Sequence, residues 1–177
     1  MSELDIPADV TGDVVTFRLD GEVLAVAAGR LREVLEKVRV TRVPGAPDFA
    51  AGVINVRGSV VPLADLRVPL RMPRPAEQDD VRILVLELTL AEQATTVGIL
   101  ADAVHEVTRL DPGTLEEIPP VGTRWPPRYV AAVGRWQGEF VTVPDLNAIF
   151  ADFLGGQGRT HSNGATGAEP NAEPETV

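Results

Sequence analysis

A shift of 80 residues lays Phe49–Leu66 over Tyr129–Leu146. Ala51, Val53, Gly58, Val61, Asp65 and Leu66 then meet Ala131, Val133, Gly138, Val141, Asp145 and Leu146. The bend glycine, the strand after it and the terminal Asp-Leu all recur. Upstream, Arg32-Glu33-Val34 falls near His105-Glu106-Val107 at a different offset, so the halves differ in length. The plain explanation is that any two β-hairpins look alike. The sharper one is two homologous β-subdomains of about five short strands each, which bury their edges by closing into barrels. The tips are not copies: Arg57 becomes Gln137 and Asn55 becomes Arg135. One half therefore keeps a tip suited to recognition that the other lacks.

The first copy is the stretch Gly52-Val-Ile-Asn55-Val-Arg57-Gly58-Ser-Val-Val-Pro62-Leu-Ala-Asp65-Leu66. Two apolar runs meet at Arg57-Gly58, where Gly58 supplies the positive φ of a tight corner. An exposed guanidinium at such a tip is either a binding group or a solvated turn residue. Pro62 cannot donate to a ladder, which predicts an edge or bulged strand there. Asp65 suits the cap of a following turn or short helix.

The rest reads as short strands. Asp13–Leu19 and Val23–Ala27 flank the hairpin signal Asp20-Gly21. Arg82–Leu88 is a buried strand, Thr95–Ala101 another, and Val104–Leu110 alternates. Residues 129–136 and 139–143 pair about Gln137-Gly138, and Asp145 caps a short amphipathic helix, Leu146–Leu154. Leu31, Val34, Leu35 and Val38 follow helical spacing, while Val38–Val43 alternates, so pattern alone predicts a helix running into a strand. Asp48 could cap one helical turn before Gly52. Prolines 69, 73 and 75 mark 66–80 as a surface connection and a candidate junction between halves. Residues 111–128 are a proline-rich loop. Residues 1–12 read as a flexible leader, 13–154 as the folded unit, and 155–177 as a disordered acidic tail.

Charge and composition narrow the function. The chain of 177 residues has a net charge of −10 and repels phosphates, which weighs against nucleic acid and anionic membranes. It has no cysteine, so no disulfide, thiolate metal site or thiol nucleophile. No signal peptide and no spanning apolar run is visible, which fits a cytoplasmic protein without direct membrane insertion. Catalytic, metal and cofactor sites are not expected. His105 sits beside Glu106 with no convergent ligands, and His161 lies in the tail. Ser59 lacks a nucleophile elbow, and Gly155-Gly156-Gln157-Gly158 lacks the Lys-Ser/Thr of a P-loop. Asp79-Asp80 and Glu116-Glu117 read as solvated. Trp125 and Trp136 are core or half-exposed residues, or else interface anchors.

The central stretch resembles the motif of the CheW-like family, G-(I/V)-(I/V)-N-(L/V)-R-G-x-(I/V)-(I/V)-P-(I/V/L)-x-D-L. Val97-Gly98-Ile-Leu-Ala-Asp102-Ala-Val-His-Glu106-Val107 is similar to a second family block, and Arg32-Glu33-Val34 and Val40–Pro44 to upstream segments. The resemblance implies an all-β fold of two five-stranded, SH3-like barrel subdomains packed side by side, with 29–38 extended for part of its length. It implies a non-catalytic adaptor coupling chemoreceptors to a CheA-type histidine kinase, through the receptor's cytoplasmic tip and the kinase's regulatory domain. Glu33, Asn55, Arg57 and Gly58 would form the receptor-binding corner. Gly52 and Gly98 would be structural glycines at close backbone approaches, with Gly138 the bend glycine of the second copy. Ala132 stands where the family often has Gly, His105 and Trp136 are not family signatures, and the 119–127 loop is unusual. The same adaptor could serve a chemosensory-like pathway for pili, gliding or development. A small-ligand-binding β-barrel is the alternative from another class.

Overall fold

A computed structural model describes residues 8–36, 38–75, 81–116 and 125–154. The leader before residue 8, Glu77–Asp80, the middle of the proline-rich loop, His161 and the tail lie outside the described residues.

Among the described residues, eleven strands form two mixed sheets. β1 (Asp13–Leu19), β2 (Glu22–Ala27), β9 (Ala103–Arg109), β10 (Val130–Trp136) and β11 (Glu139–Pro144) make the first, in the order β10-β11-β2-β1-β9. β3 (Leu31–Glu36), β4 (Thr41–Arg42), β5 (Gly52–Val56), β6 (Ser59–Ala64), β7 (Arg82–Leu90) and β8 (Gln93–Ala101) make the second, in the order β3-β7-β8-β6-β5-β4. The sixth strand is the two-residue β4. The duplication is visible in the connectivity. β6 joins β8 in parallel through Leu63↔Gly98 and Ala64↔Ile99, and β11 joins β2 in parallel through Val141↔Val23 and Thr142↔Leu24. Even the short Thr41↔Val53 pairing has its counterpart, an isolated bridge Glu116↔Val133.

The sheets are not the two halves of the sequence. The second is built from residues 31–101, inserted between strands of the first. The chain crosses over at a 3-10 turn, Ala28–Arg30, and again at Asp102, whose N–H donates to the Arg18 carbonyl (2.8 Å). The expected junction at 66–80 is therefore misplaced.

Three apolar cores explain why some strands read as continuous apolar runs. Val14, Val23 and Ala25 face a core inside the first sheet, with Leu110, Leu115 and Val141. Ile83 and Val85 face one inside the second, with Ile54, Val61 and Leu63. Their neighbours Val15, Leu24, Val26, Leu84 and Leu86 point the other way, into a larger core shared by both sheets. β1 and β2, and the paired parts Ile83–Leu86 of β7 and Val97–Ala101 of β8, are thus covered on both faces, which replaces hydrophobic alternation by burial of successive residues. α1 (Leu146–Leu154) seals this shared core with Leu146, Ile149 and Phe150, and Phe150 meets Phe49 edge-on (5.2 Å between centroids).

Four expectations need correction. Residues 31–36 are strand β3, with exposure alternating residue by residue. Leu31 and Leu35 are four apart, an even spacing that a strand also places on one face, so the helical pattern was not decisive. Within 38–43 only Thr41–Arg42 pairs. Leu66–Met72 is not a surface connection: Leu66, Leu70 and Met72 belong to the shared core, in a turn closed by Leu70 N–H to Leu66 O (3.1 Å) and Met72 N–H to Arg67 O (2.8 Å). Asp48 opens a single 3-10 turn, Asp48–Ala50, without capping it; its carboxylate pairs with Arg74 (3.2 Å). Pro62 lies in an interior strand, but pairing to β8 starts only at Leu63, so its missing N–H costs no ladder bond there.

Candidate functional site

The β5–β6 hairpin holds four of the singled-out residues. Its register, Val56↔Ser59 through Gly52↔Leu63, leaves Arg57 and Gly58 as a two-residue loop. Both have positive φ, 51° and 86°, as a type I′ turn requires. Asn55 fixes the corner from below, its Oδ1 accepting the Gly58 N–H (2.9 Å). Arg57 projects from the tip with its side chain 83% exposed. Its Nε and Nη2 donate to the two carboxylate oxygens of Glu33 on β3, at 3.3 and 3.4 Å. The structure thus brings Glu33, Asn55, Arg57 and Gly58 together, though Glu33 lies 24 residues before Arg57. An ion pair this exposed contributes ~0–1 kcal/mol to stability, so it orients the guanidinium more than it holds the fold. Val60 on β6, 71% exposed, adds apolar surface to the hairpin.

The other named glycines lie elsewhere. A Cβ on Gly98 would come within 3.1 Å of Ile83 Cγ2 and 3.3 Å of Leu63 Cδ1, in the core of the second sheet. A Cβ on Gly52 would stand 2.6 Å from Val40 Cγ1 and 3.3 Å from the Thr41 carbonyl. Gly138, at φ +80°, follows Gln137 at 49° in a turn of the same kind.

That second turn forms a corner of its own. Residues 131–140 repeat the burial of 51–60 position by position. Gln137 Nε2 donates to Glu106 Oε1 on β9 (3.4 Å), as Arg57 does to Glu33 on β3. Arg135 stands where Asn55 would, and its guanidinium lies 4.5 Å over the ring of Phe140, which is 62% exposed. His105 stacks on Trp136 (5.4 Å), and Val107 is exposed beside it. These contacts join β9 and β10, opposite edges of the first sheet, which shows how far that sheet curls. The Glu33–Arg57 pair does the same between β3 and the β5–β6 hairpin of the second. Trp125 is half-buried against the shared core, and Trp136 against the core of the first sheet.

Behind the first corner, sequence reasoning missed a buried ion pair. Asp65 accepts three hydrogen bonds from Arg67: backbone N–H (3.0 Å), Nε (2.8 Å) and Nη2 (2.8 Å). The Arg67 side chain is 5% exposed. Burial pulls its pKa down, but the hydrogen bond and charge of Asp65 outweigh this and leave it raised. An Asp-x-Arg after a strand was the available signal. At the matching place, Asp145 Oδ1 accepts the Ala148 N–H (3.0 Å) and caps α1. Farther along α1, Asp152 takes Arg128 Nε (2.6 Å), Arg128 Nη2 (2.8 Å) and the Tyr129 hydroxyl (2.9 Å). The Arg128 and then the Tyr129 hydrogen bonds lower the Asp152 pKa to about 2.

Among the described residues no group of three or more His, Cys, Asp or Glu is placed to hold a metal ion. No helix among them is long and apolar enough to cross a membrane. The exposed tips, one charged and one aromatic, stand on two curled sheets, which makes the molecule a β-sheet scaffold. The chain belongs to the CheW-like domain family, whose description matches residues 13–153. It is 26% identical over 140 residues to the chemotaxis protein CheW of Bacillus subtilis, covering 78% of this chain and 87% of that protein. It is 28% identical over 141 residues to Protein PilI of Pseudomonas aeruginosa, covering 79% of this chain and 77% of that one. Among solved structures, the scaffolding protein TtCheW of Thermoanaerobacter tengcongensis superposes with a TM-score of 0.68 at 29% identity, covering 78% of this chain and 91% of its own. The two β subdomains expected from the repeat are those of this fold.

Proposed function

We infer that this chain is a non-catalytic chemotaxis adaptor that joins a chemoreceptor to a CheA-type histidine kinase, and that Glu33, Asn55, Arg57 and Gly58 form its receptor-facing corner. The observation that carries the reading is Arg57, exposed at the tip of a fixed two-residue turn and oriented by Glu33. A guanidinium held in place loses little side-chain freedom when it meets a carboxylate or carbonyl on a helical receptor tip. The kinase's regulatory domain would pack on the apolar surfaces at the ends of the sheets, for which the exposed Phe140 and Val107 are suited. Holding both partners raises their effective concentration, so receptor conformation biases the kinase without a second active site.

A binding assay with a receptor's cytoplasmic tip tests this beside a pulldown with the kinase's regulatory domain. Arg57→Ala is expected to weaken receptor binding, keep the melting curve near that of the parent and still capture the kinase domain. Gross unfolding of the variant, or receptor binding unchanged by it, would remove the corner from the mechanism.

A further inference from the structure

β4 is an edge strand whose outer side no described residue pairs with. Val43 N–H donates to the Ala51 carbonyl (2.9 Å), in step with Thr41↔Val53 and Arg42↔Gly52. Thr41 and Val43 therefore turn their backbone groups to β5, and the alternation of an antiparallel ladder turns those of Val40 and Arg42 outward. Arg39 through Val43 are all exposed, Val40 by 44% and Val43 by 41%. Their charge stands out on a chain whose net charge is −10. Elsewhere in the second sheet Arg32, Arg57 and Arg82 are each paired with a carboxylate, and Arg74 is paired with Asp48. Arg39 and Arg42 have no carboxylate partner among the described residues. On one face of the strand, Val40, Arg42 and Arg74 line a hollow of about 180 Å³ beside Gly52. Small-molecule pockets begin at about 300 Å³, so this one suits a single side chain.

We propose that β4 is a docking edge for an extended acidic segment of a partner protein, which adds one strand to the second sheet. The outward N–H and C=O groups of Val40 and Arg42 supply the main-chain bonds of strand addition, and the hollow supplies the side-chain pocket. Alternate residues of the incoming strand lie on the side of Val40 and Arg42, where a carboxylate enters the hollow and meets the Arg42 guanidinium. The residues between them lie beside Thr41 and Val43, where β-branched side chains fit the pleated surface. Charge selects the occupant. A second copy offering its own β4 would set arginine against arginine, the device by which an edge prevents self-pairing. An acidic strand turns the same two arginines into favourable cross-strand partners. A helix has its backbone groups bonded internally and cannot use the outward ones of β4. This edge therefore takes a different class of ligand from the corner at Arg57.

The probe is a blocked peptide, Glu-Val-Glu-Val-Glu-Val, titrated into the full chain at low salt, where charge is least screened. Binding is followed by the amide signals of residues 39–43, which should move. Affinity should fall about tenfold or more in Arg42→Gln, and by as much when Lys replaces Glu in the peptide. Arg39→Glu combined with Arg42→Glu should reverse the preference, so that the Lys peptide binds the tighter. Two further peptides, one N-methylated at every Glu and one at every Val, separate strand addition from charge attraction. One of the two should lose about tenfold or more, because only alternate N–H groups face the edge. Unmoved signals at 39–43, equal affinity for the Glu and Lys peptides, or both methylated peptides binding as tightly as their parent would each overturn the proposal. Self-association of the doubly substituted chain with no change in peptide preference would overturn it too, and would leave the two arginines as guards of a bare edge.

Discussion

The two hairpin corners have the same backbone and burial, yet they end in different hardware. After the first, Asp65 turns inward and clamps Arg67 inside the protein; after the second, Asp145 turns to the backbone and starts α1. The tips diverge likewise. Arg57 lies free of packing and paired to Glu33, whereas the second corner spends its arginine, Arg135, on the ring of Phe140 and offers a neutral Gln137. Duplication kept the geometry that a turn and a core demand. It left free what points outward, so one frame carries a charged corner and an aromatic one.

The sharpest break in this comparison is Arg67→Ala. It leaves Asp65 charged and buried, which costs about 3–5 kcal/mol. Denaturant unfolding should show a much lower midpoint than for Asn147→Ala, the matching position of the second copy. Similar midpoints would mean that the buried pair does not hold the first corner. Arg57→Ala should weaken receptor binding by roughly 1–2 kcal/mol, about tenfold, while Gln137→Ala leaves it unaltered in the same titration. Equal losses would make the corners functionally alike. Asp145→Ala removes the cap of α1 and should cost about 1 kcal/mol, seen as a small fall in melting temperature without loss of receptor binding. The smallest effect concerns pH. Asp152 titrates lower in the folded protein, at about 2 against an ordinary 3.8, so the unfolded chain binds the proton more readily. Its stabilisation is full above pH 3.8 and is lost as pH falls from 3.8 towards 2. Asp152→Asn should flatten that part of the stability profile and leave neutral-pH binding alone.

Much of this frame was legible in the residues, because hairpins announce themselves locally. Asp20-Gly21, Arg57-Gly58 and Gln137-Gly138 each sit between apolar runs, and each is a two-residue turn with both φ values positive. The α1 cap was legible for the same reason. What local reading missed depends on distant partners. β3 is a strand because β7 is there to pair with it, from Glu36↔Arg82 to Leu31↔Leu86. Leu66–Met72 is buried because the shared core receives it, despite its neighbouring prolines. Arg57 was singled out from the motif, but its contact with Glu33 follows from the curl of the second sheet, which no local spacing records.

The interleaved sheets also set an order of assembly on the ribosome. Every strand of the sheet bearing Arg57 has been synthesised once residue 101 is made. The opening hairpin, β1–β2, must wait for β11, more than a hundred residues later, before its outer edge is covered. Until then its exposed strand edge invites wrong pairing. The half that carries the charged tip can thus mature early, while the half that carries the aromatic one waits until β11 has been made.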